Sequence, residues 1–192
     1  MEDCYRLSES ICLEIVRALE IGLHVPTDGL VERCIPSATD LRLNHYPPVK
    51  IEDMRSGNAS RISPHTDFGI ITILLQDLVG GLEIEDREHP AVFIPIRPKS
   101  SSEMIVNVSD TLQRWTNDEL QGGVHRVTIP EHMKKGCHTV LPERFTMAYF
   151  FKAERQVSVG PLPNFVDNER KPRYDDITAL EFQQRRNEMM YT

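Results

Sequence analysis

The feature that most constrains this chain is the punctuation of its middle. Between Leu41 and Phe151, short runs rich in Ile, Val, Leu, Thr, Phe and Tyr are broken by Pro47-Pro48, Ser56-Gly57-Asn58, Gly80-Gly81, the stretch from Arg87 to Pro90, and Gly122-Gly123. Short strands with frequent turn signals fold as a sandwich, barrel or jelly roll rather than as βαβ units. The runs predict strands at Leu41 to Tyr46, Ile70 to Gln76, Leu82 to Glu85, Val92 to Ile96, Met104 to Val108, Val124 to Ile129 and Phe145 to Phe151. A short helix is expected from Thr111 to Glu119.

The flanks read differently. From Cys4 to about Leu23, apolar residues recur on two tracks: Leu7, Ile11, Ile15, Ala18 and Gly22, and Tyr5, Cys12, Val16, Leu19 and Leu23. That period of three to four residues marks a helix with a broad buried face. Pro26, Asp28 and Gly29, then Pro36-Ser37, make the next stretch a connector. Near the end, Thr178-Ala179-Leu180-Glu181 fits a capping box opening a helix through Met190. The 192 residues thus suit one compact domain, large enough to build its core without disulfides or a structural metal. Its parts are a helix and connector over 1–39, a β core over 40–153, and a C-terminal extension with a helix over 154–192.

Charge and cysteines narrow the class of partner. The net charge is −7 and the basic residues are scattered, so the stripe that would offset phosphate repulsion is missing and a nucleic-acid partner is not expected. Cys4, Cys12, Cys34 and Cys137 form no CxxC pair, which predicts free thiols in a reducing compartment, the cytoplasm. The chain opens Met1-Glu2-Asp3 with no basic or apolar leader, and its apolar runs are too short for a membrane span.

Chemistry concentrates in a few places. In Ser63-Pro64-His65-Thr66-Asp67, residues two apart in an extended segment share a face, so His65 and Asp67 can present an imidazole nitrogen and a carboxylate oxygen to one ion. Alone, the triplet is weak evidence and reads more readily as a surface histidine beside a capping aspartate. His125, in Gly-Gly-Val-His-Arg-Val, is the best third ligand. Two histidines and a carboxylate on one face of an octahedral ion leave three positions open, as in non-haem Fe(II) oxygenases, whereas structural zinc closes all four of its positions, usually with thiolates. Arg144 and Thr146 again share a face and could grip a carboxylate. Asn44 and Tyr46 could point together into the barrel while His45 points away. Asn107, Asp110 and Gln113 are candidates to orient the ligands, with Asp110 alternatively capping the helix after it. Trp115 reads as core, and His132, Cys137 and His138 as loop decoration.

The ordered series NHYP, SPHTDFGIITILLQD, GGLEIED, IVNVSDTLQRWTND, GGVHRV and RFTMAYFF resembles the isopenicillin-N-synthase-like branch of the Fe(II)/2-oxoglutarate-dependent dioxygenases over roughly Asp40 to Ala153. The resemblance implies a mainly β fold, a double-stranded β-helix (jelly roll) core with flanking N-terminal and C-terminal α-helices. It implies iron on His65, Asp67 and His125, the distal carboxylate of 2-oxoglutarate on Arg144 and Thr146, and help from Tyr46 and Asn44. The cofactors would be Fe(II), 2-oxoglutarate and O₂. The activity would be hydroxylation, desaturation or cyclisation of a small organic metabolite, as in specialised metabolism, with release of succinate and CO₂.

The chain departs from the family's usual pattern in three places. Thr146 stands where serine is usual, the polar stretch from Glu131 to Gly136 suggests a loop insertion, and the sizeable N-terminal region common in the family has no counterpart. Two other readings therefore stand beside the dioxygenase. One is an Fe(II) oxidase of the same fold that uses no 2-oxoglutarate; succinate formation separates it. The other is a non-catalytic remnant that binds a ligand or partner, whose exposed sheet edge would favour association.

Overall fold

The structure, a computed structural model, describes residues 1–135 and 139–190, the last without its side chain. Gly136, Cys137 and His138 lie outside the described residues. In chain order the elements are α1 (Glu2–Gly22), a 3-10 turn (Val31–Cys34), β1 (Asp40–Tyr46), β2 (Val49–Lys50), α2 (Ile51–Ser56), β3 (Ile62–His65), β4 (Ile71–Gln76), β5 (Leu82–Glu85), β6 (Phe93–Pro95), β7 (Ile105–Val108), α3 (Asp110–Trp115), β8 (His125–Val127), α4 (Glu131–Lys134), β9 (Val140–Leu141), β10 (Arg144–Phe151), a second 3-10 turn (Pro163–Phe165) and α5 (Ala179–Met190). No helix among them is long and apolar enough to cross a membrane.

The strands form two four-stranded antiparallel sheets, ordered β1-β10-β4-β7 and β3-β8-β5-β6, with β2 and β9 as a separate pair. The chain crosses repeatedly from one sheet to the other, which is the jelly roll. Alternation along β10 explains how one strand serves two purposes. Arg144, Thr146, Ala148 and Phe150 face the cavity between the sheets. Tyr149 and Phe151 face the other way, into the main core with Ile71 and Ile73 of β4. There α1 covers them, through Cys12, Val16 and an edge-to-face contact of Tyr5 on Tyr149.

The helix α1 departs from its expected face. The second track, with Cys12 and Val16 at its centre, is the buried one, whereas Leu7, Ala18 and Gly22 point outward. The inward stripe instead includes Ser8 and Glu20. Glu20 is a charged residue in a core position because its carboxylate accepts the backbone N–H groups of Leu30 (2.7 Å), Val31 (2.9 Å) and Asp28 (3.2 Å), closing the turn after the helix.

Other differences have local causes. α3 ends at Trp115, four residues early, because Asn117 and Asp118 adopt positive φ. β3 is absent from the apolar pattern because Ser63 and Pro64 occupy its middle, yet it pairs with β8. The stretch expected to be a loop insertion contains α4, followed by β9 paired with β2. Met133 and Leu141 bury there with Ile51 and Ile129 in a second small core. At α5, Thr178 caps Glu181 N–H at 3.1 Å, but the Glu181 carboxylate turns to Arg185, so only half of the capping box forms.

Candidate metal centre

Strand pairing brings the two histidines together. In the β3–β8 register His65 lies directly opposite His125, and the ring centroids are 4.3 Å apart. Asp67 follows β3 and is buried. Its Oδ1 is 3.7 Å from His65 Nε2 and 3.9 Å from His125 Nε2, and the three donors lie within 4.8 Å of one another. Metal–donor bonds of about 2.1 Å put adjacent donors roughly 3 Å apart, so a small inward movement seats one ion.

The remaining atoms of each ligand are committed elsewhere. His65 Nδ1 is 2.9 Å from the Ser63 carbonyl, and His125 Nδ1 is 2.9 Å from the Gly123 carbonyl. A carbonyl only accepts, so Nδ1–H donates in both rings, which leaves Nε2 as the ring nitrogen that could ligate a metal. Asp67 Oδ2 accepts the Thr72 hydroxyl at 2.7 Å and the Asn107 amide at 3.4 Å. Burial, and then the charge of His125, push His65 below the ordinary imidazole pKa, which favours the neutral, ligating form.

Of the three candidates to orient the ligands, Asn107 is the one whose side chain lies beside Asp67 and His125. Its amide reaches Asp67 and also lies 3.5 Å from His125 Nδ1. A Cβ on Gly123 would lie 2.1 Å from Asn107 Oδ1, so the glycine lets this side chain pass. Gln113 instead supports the glycine loop, accepting Gly122 N–H at 2.7 Å. Ser109, not Asp110, takes the cap position of α3. The Asp110 carboxylate meets Arg186 of α5 at 3.2 Å, and Arg186 also donates to Thr66 Oγ1 at 3.1 Å, between the two ligands of the HxD triplet. Trp115 is wholly buried and donates to the Ser158 carbonyl, a core role. Thr72 was invisible as a functional residue; its one sequence signal is a hydroxyl on the inward face of an apolar strand.

The second polar cluster lies along the same strands. Thr72 at one end of β4 bonds Asp67, while Gln76 at the other accepts from Arg144 Nη2 at 2.7 Å. Four residues of strand separate the two ends by roughly 13 Å. Arg144 and Thr146 are 1% and 6% exposed, with Phe145 between them facing out and stacked on His45. The Tyr46 ring lies 5.0 Å from the Arg144 guanidinium, and Asn44 donates to Thr146 Oγ1 at 3.2 Å. Arg144 Nε and Nη1 are buried and have no hydrogen-bond partner among the described residues. Burial pulls the Arg144 pKa down, opposed by Tyr46 and Asp77.

Both clusters line one cavity of about 230 Å³, walled otherwise by aliphatic side chains including Leu74, Leu82, Ile84, Ile96, Ile105 and Val106. A wider open groove between α1 and β1 holds none of these residues. The donor set fits Fe(II): two imidazole nitrogens and a carboxylate oxygen, all three residues bordering the cavity.

The sequence profile of the 2OG-Fe(II) oxygenase superfamily matches residues 38–153. The chain is 49% identical, over its full length, to the 2-oxoglutarate-dependent dioxygenase imqE of Aspergillus flavus, covering 53% of that protein. It is 45% identical to the 2-oxoglutarate-dependent dioxygenase ecdK of Aspergillus rugulosus, again over its full length and covering 58% of the relative. Among solved structures, a full-length Neurospora crassa protein in complex with alpha-KG superposes with a TM-score of 0.87 at 29% identity, over all of this chain and 56% of that one. The chain thus spans about half the length of the curated relatives it matches.

Proposed function

Because the chain belongs to the 2OG-Fe(II) oxygenase superfamily, we propose that it works as an Fe(II)- and 2-oxoglutarate-dependent dioxygenase that oxidises a small organic metabolite. The observation that carries this reading is the pairing, in one cavity, of the His65–Asp67–His125 donor set with a buried guanidinium, Arg144, two of whose nitrogens have no hydrogen-bond partner among the described residues.

In this reading His65, Asp67 and His125 hold Fe(II), and Arg144, Thr146, Tyr46 and Asn44 receive the far carboxylate of 2-oxoglutarate. When bound, iron and 2-oxoglutarate would activate O₂, the oxidant, which takes two electrons from the 2-oxo acid as it becomes succinate and CO₂ and two from the substrate C–H bond. The chain's own residues do the rest. Thr72 and Asn107 hold Asp67 so that one oxygen faces the metal. The Ser63 and Gly123 carbonyls fix the imidazole tautomers. The aliphatic walls near the three donors would limit water around the reacting carbon, which supports a mostly apolar substrate surface near the iron.

The structural relatives support a small-molecule substrate, since the same Neurospora crassa protein has been solved with thymine and with 5-formyluracil beside alpha-KG. The described cysteines Cys4, Cys12 and Cys34 are all free, which supports the cytoplasm as its compartment. The test is O₂-dependent conversion of 2-oxoglutarate to succinate by the Fe(II)-loaded chain, measured beside His125→Ala. Succinate from the native chain alone supports the reading, and equal, background-level succinate from both overturns it.

A further inference from the structure

A second guanidinium stands beside the far end of the cavity, against Tyr46 of its lining. Arg61, just before β3, brings its guanidinium to 5.6 Å from the centroid of the Tyr46 ring, the same ring that Arg144 approaches at 5.0 Å. Its Nη2 donates to the Pro142 carbonyl, which fixes the head group. Its Nε and Nη1 are buried and unpartnered. Among the described residues, seven buried side-chain nitrogens and oxygens have no hydrogen-bond partner. Five of them are donors on Arg61, Arg144 and Gln76.

Such a cluster is costly in a protein interior unless something satisfies it. The nearby carboxylate, Asp77, is already committed: its two oxygens accept the backbone N–H groups of Phe145 (2.6 Å) and Val79 (3.0 Å). Burial and the charge of Arg144 both lower the Arg61 pKa, as expected for two like charges sharing one poorly solvated region. An anion arriving at the Arg144 end of the cavity relieves that repulsion, and it does so in proportion to its charge there.

We propose that Arg61 is a positioning residue that sets selectivity for a 2-oxo acid with a second, distal carboxylate: it packs on the same Tyr46 ring as Arg144 and adds a second positive charge there. This inference rests on the functional reading above and adds to it a residue outside the motifs that resemble the family. It follows that removing Arg61 penalises the dicarboxylate and spares a 2-oxo acid of similar size whose far end is a methyl group.

The experiment is calorimetric titration of the Co(II)-loaded chain with 2-oxoglutarate and with 2-oxohexanoate, for the native protein, Arg61→Gln and Arg61→Lys, each checked for native Tm. Arg61→Gln is expected to weaken 2-oxoglutarate about tenfold, the size of a unit charge acting over several ångströms in a partly solvated site, and to leave 2-oxohexanoate within about twofold. Arg61→Lys keeps the charge and loses the planar fork, and should stay within about threefold of native for 2-oxoglutarate. Equal weakening of both acids in Arg61→Gln, or an unchanged affinity for 2-oxoglutarate, overturns the proposal. A tenfold loss in Arg61→Lys also overturns it, because charge would then not be what selects. A native chain that loads Co(II) and binds neither acid overturns the functional reading itself, and this inference with it.

Discussion

Replacing Thr72 with valine tests whether the metal centre depends on how Asp67 is held. The substitution is nearly isosteric and removes one hydroxyl. That hydroxyl donates to Asp67 Oδ2 at 2.7 Å, and Thr72 and Asp67 are 5% and 6% exposed, so water does not replace it. The Asn107 amide, at 3.4 Å from the same oxygen, is at the long limit of a hydrogen bond and does not compensate. A hydrogen bond to a buried carboxylate contributes about 1.5–3 kcal/mol. In a protein of this size its loss corresponds to a fall in metal-free Tm of roughly 3–10 °C. The sharper consequence is for the ion: an aspartate free to rotate no longer offers Oδ1 to the two imidazoles, and loss of such a supporting partner typically weakens metal binding by about 10–100-fold. Co(II) affinity, followed by visible absorption, is the assay, with Thr72→Ser expected within about threefold of native because it keeps the hydroxyl. Native-like Co(II) affinity in Thr72→Val, alongside a lowered Tm, would refute the reasoning and make Thr72 an ordinary core residue.

Other consequences are equally direct. Gly123→Ala puts a methyl group against Asn107 Oδ1; overpacking of this kind costs about 1–3 kcal/mol, and both Tm and Co(II) affinity should fall, whereas an unchanged affinity would mean that Asn107 does not orient the ligands. Arg186→Gln removes the tie from α5 to Thr66 and Asp110; limited proteolysis should then cut α5 away faster, with Co(II) bound about threefold or more weaker, and native behaviour in both would show that the helix does not brace the ligand loop. Burial pushes the thiols of Cys12 and Cys34 up to about 12, so at pH 8 only about one in 10⁴ is thiolate. Both should resist a disulfide reagent until the chain unfolds, and fast labelling of either in the native state would contradict the buried assignment.

What the sequence made legible was the part in which chemistry needs unusual residues at fixed spacing. His65, Asp67, His125, Arg144, Thr146, Tyr46 and Asn44 all line the same cavity, and strand alternation alone put Arg144 with Thr146 and Asn44 with Tyr46 on one face. Strands that bury an apolar face, such as β4 and β5, were legible for the same periodic reason. Elements stabilised by pairing rather than by apolar runs were not: β3 contains Ser63 and Pro64, and β2 and β9 are two residues each. Residues whose function lies in their partners were also hidden. Glu20 looks misplaced in a helix stripe until three backbone N–H groups are seen around it, and Thr72 and Arg61 look ordinary until Asp67 and Tyr46 stand beside them.

The central claim is that one ion and one 2-oxo dicarboxylate share this cavity, held by His65, Asp67 and His125 at one end and Arg144 at the other. An anaerobic visible difference spectrum of the Fe(II)-loaded chain, recorded as 2-oxoglutarate is added, tests it most directly. The expected result is a metal-to-ligand charge-transfer band that is lost in His65→Ala and that requires far more 2-oxoglutarate in Arg144→Ala. A folded, iron-loaded native chain that develops no band on saturation with 2-oxoglutarate would contradict it.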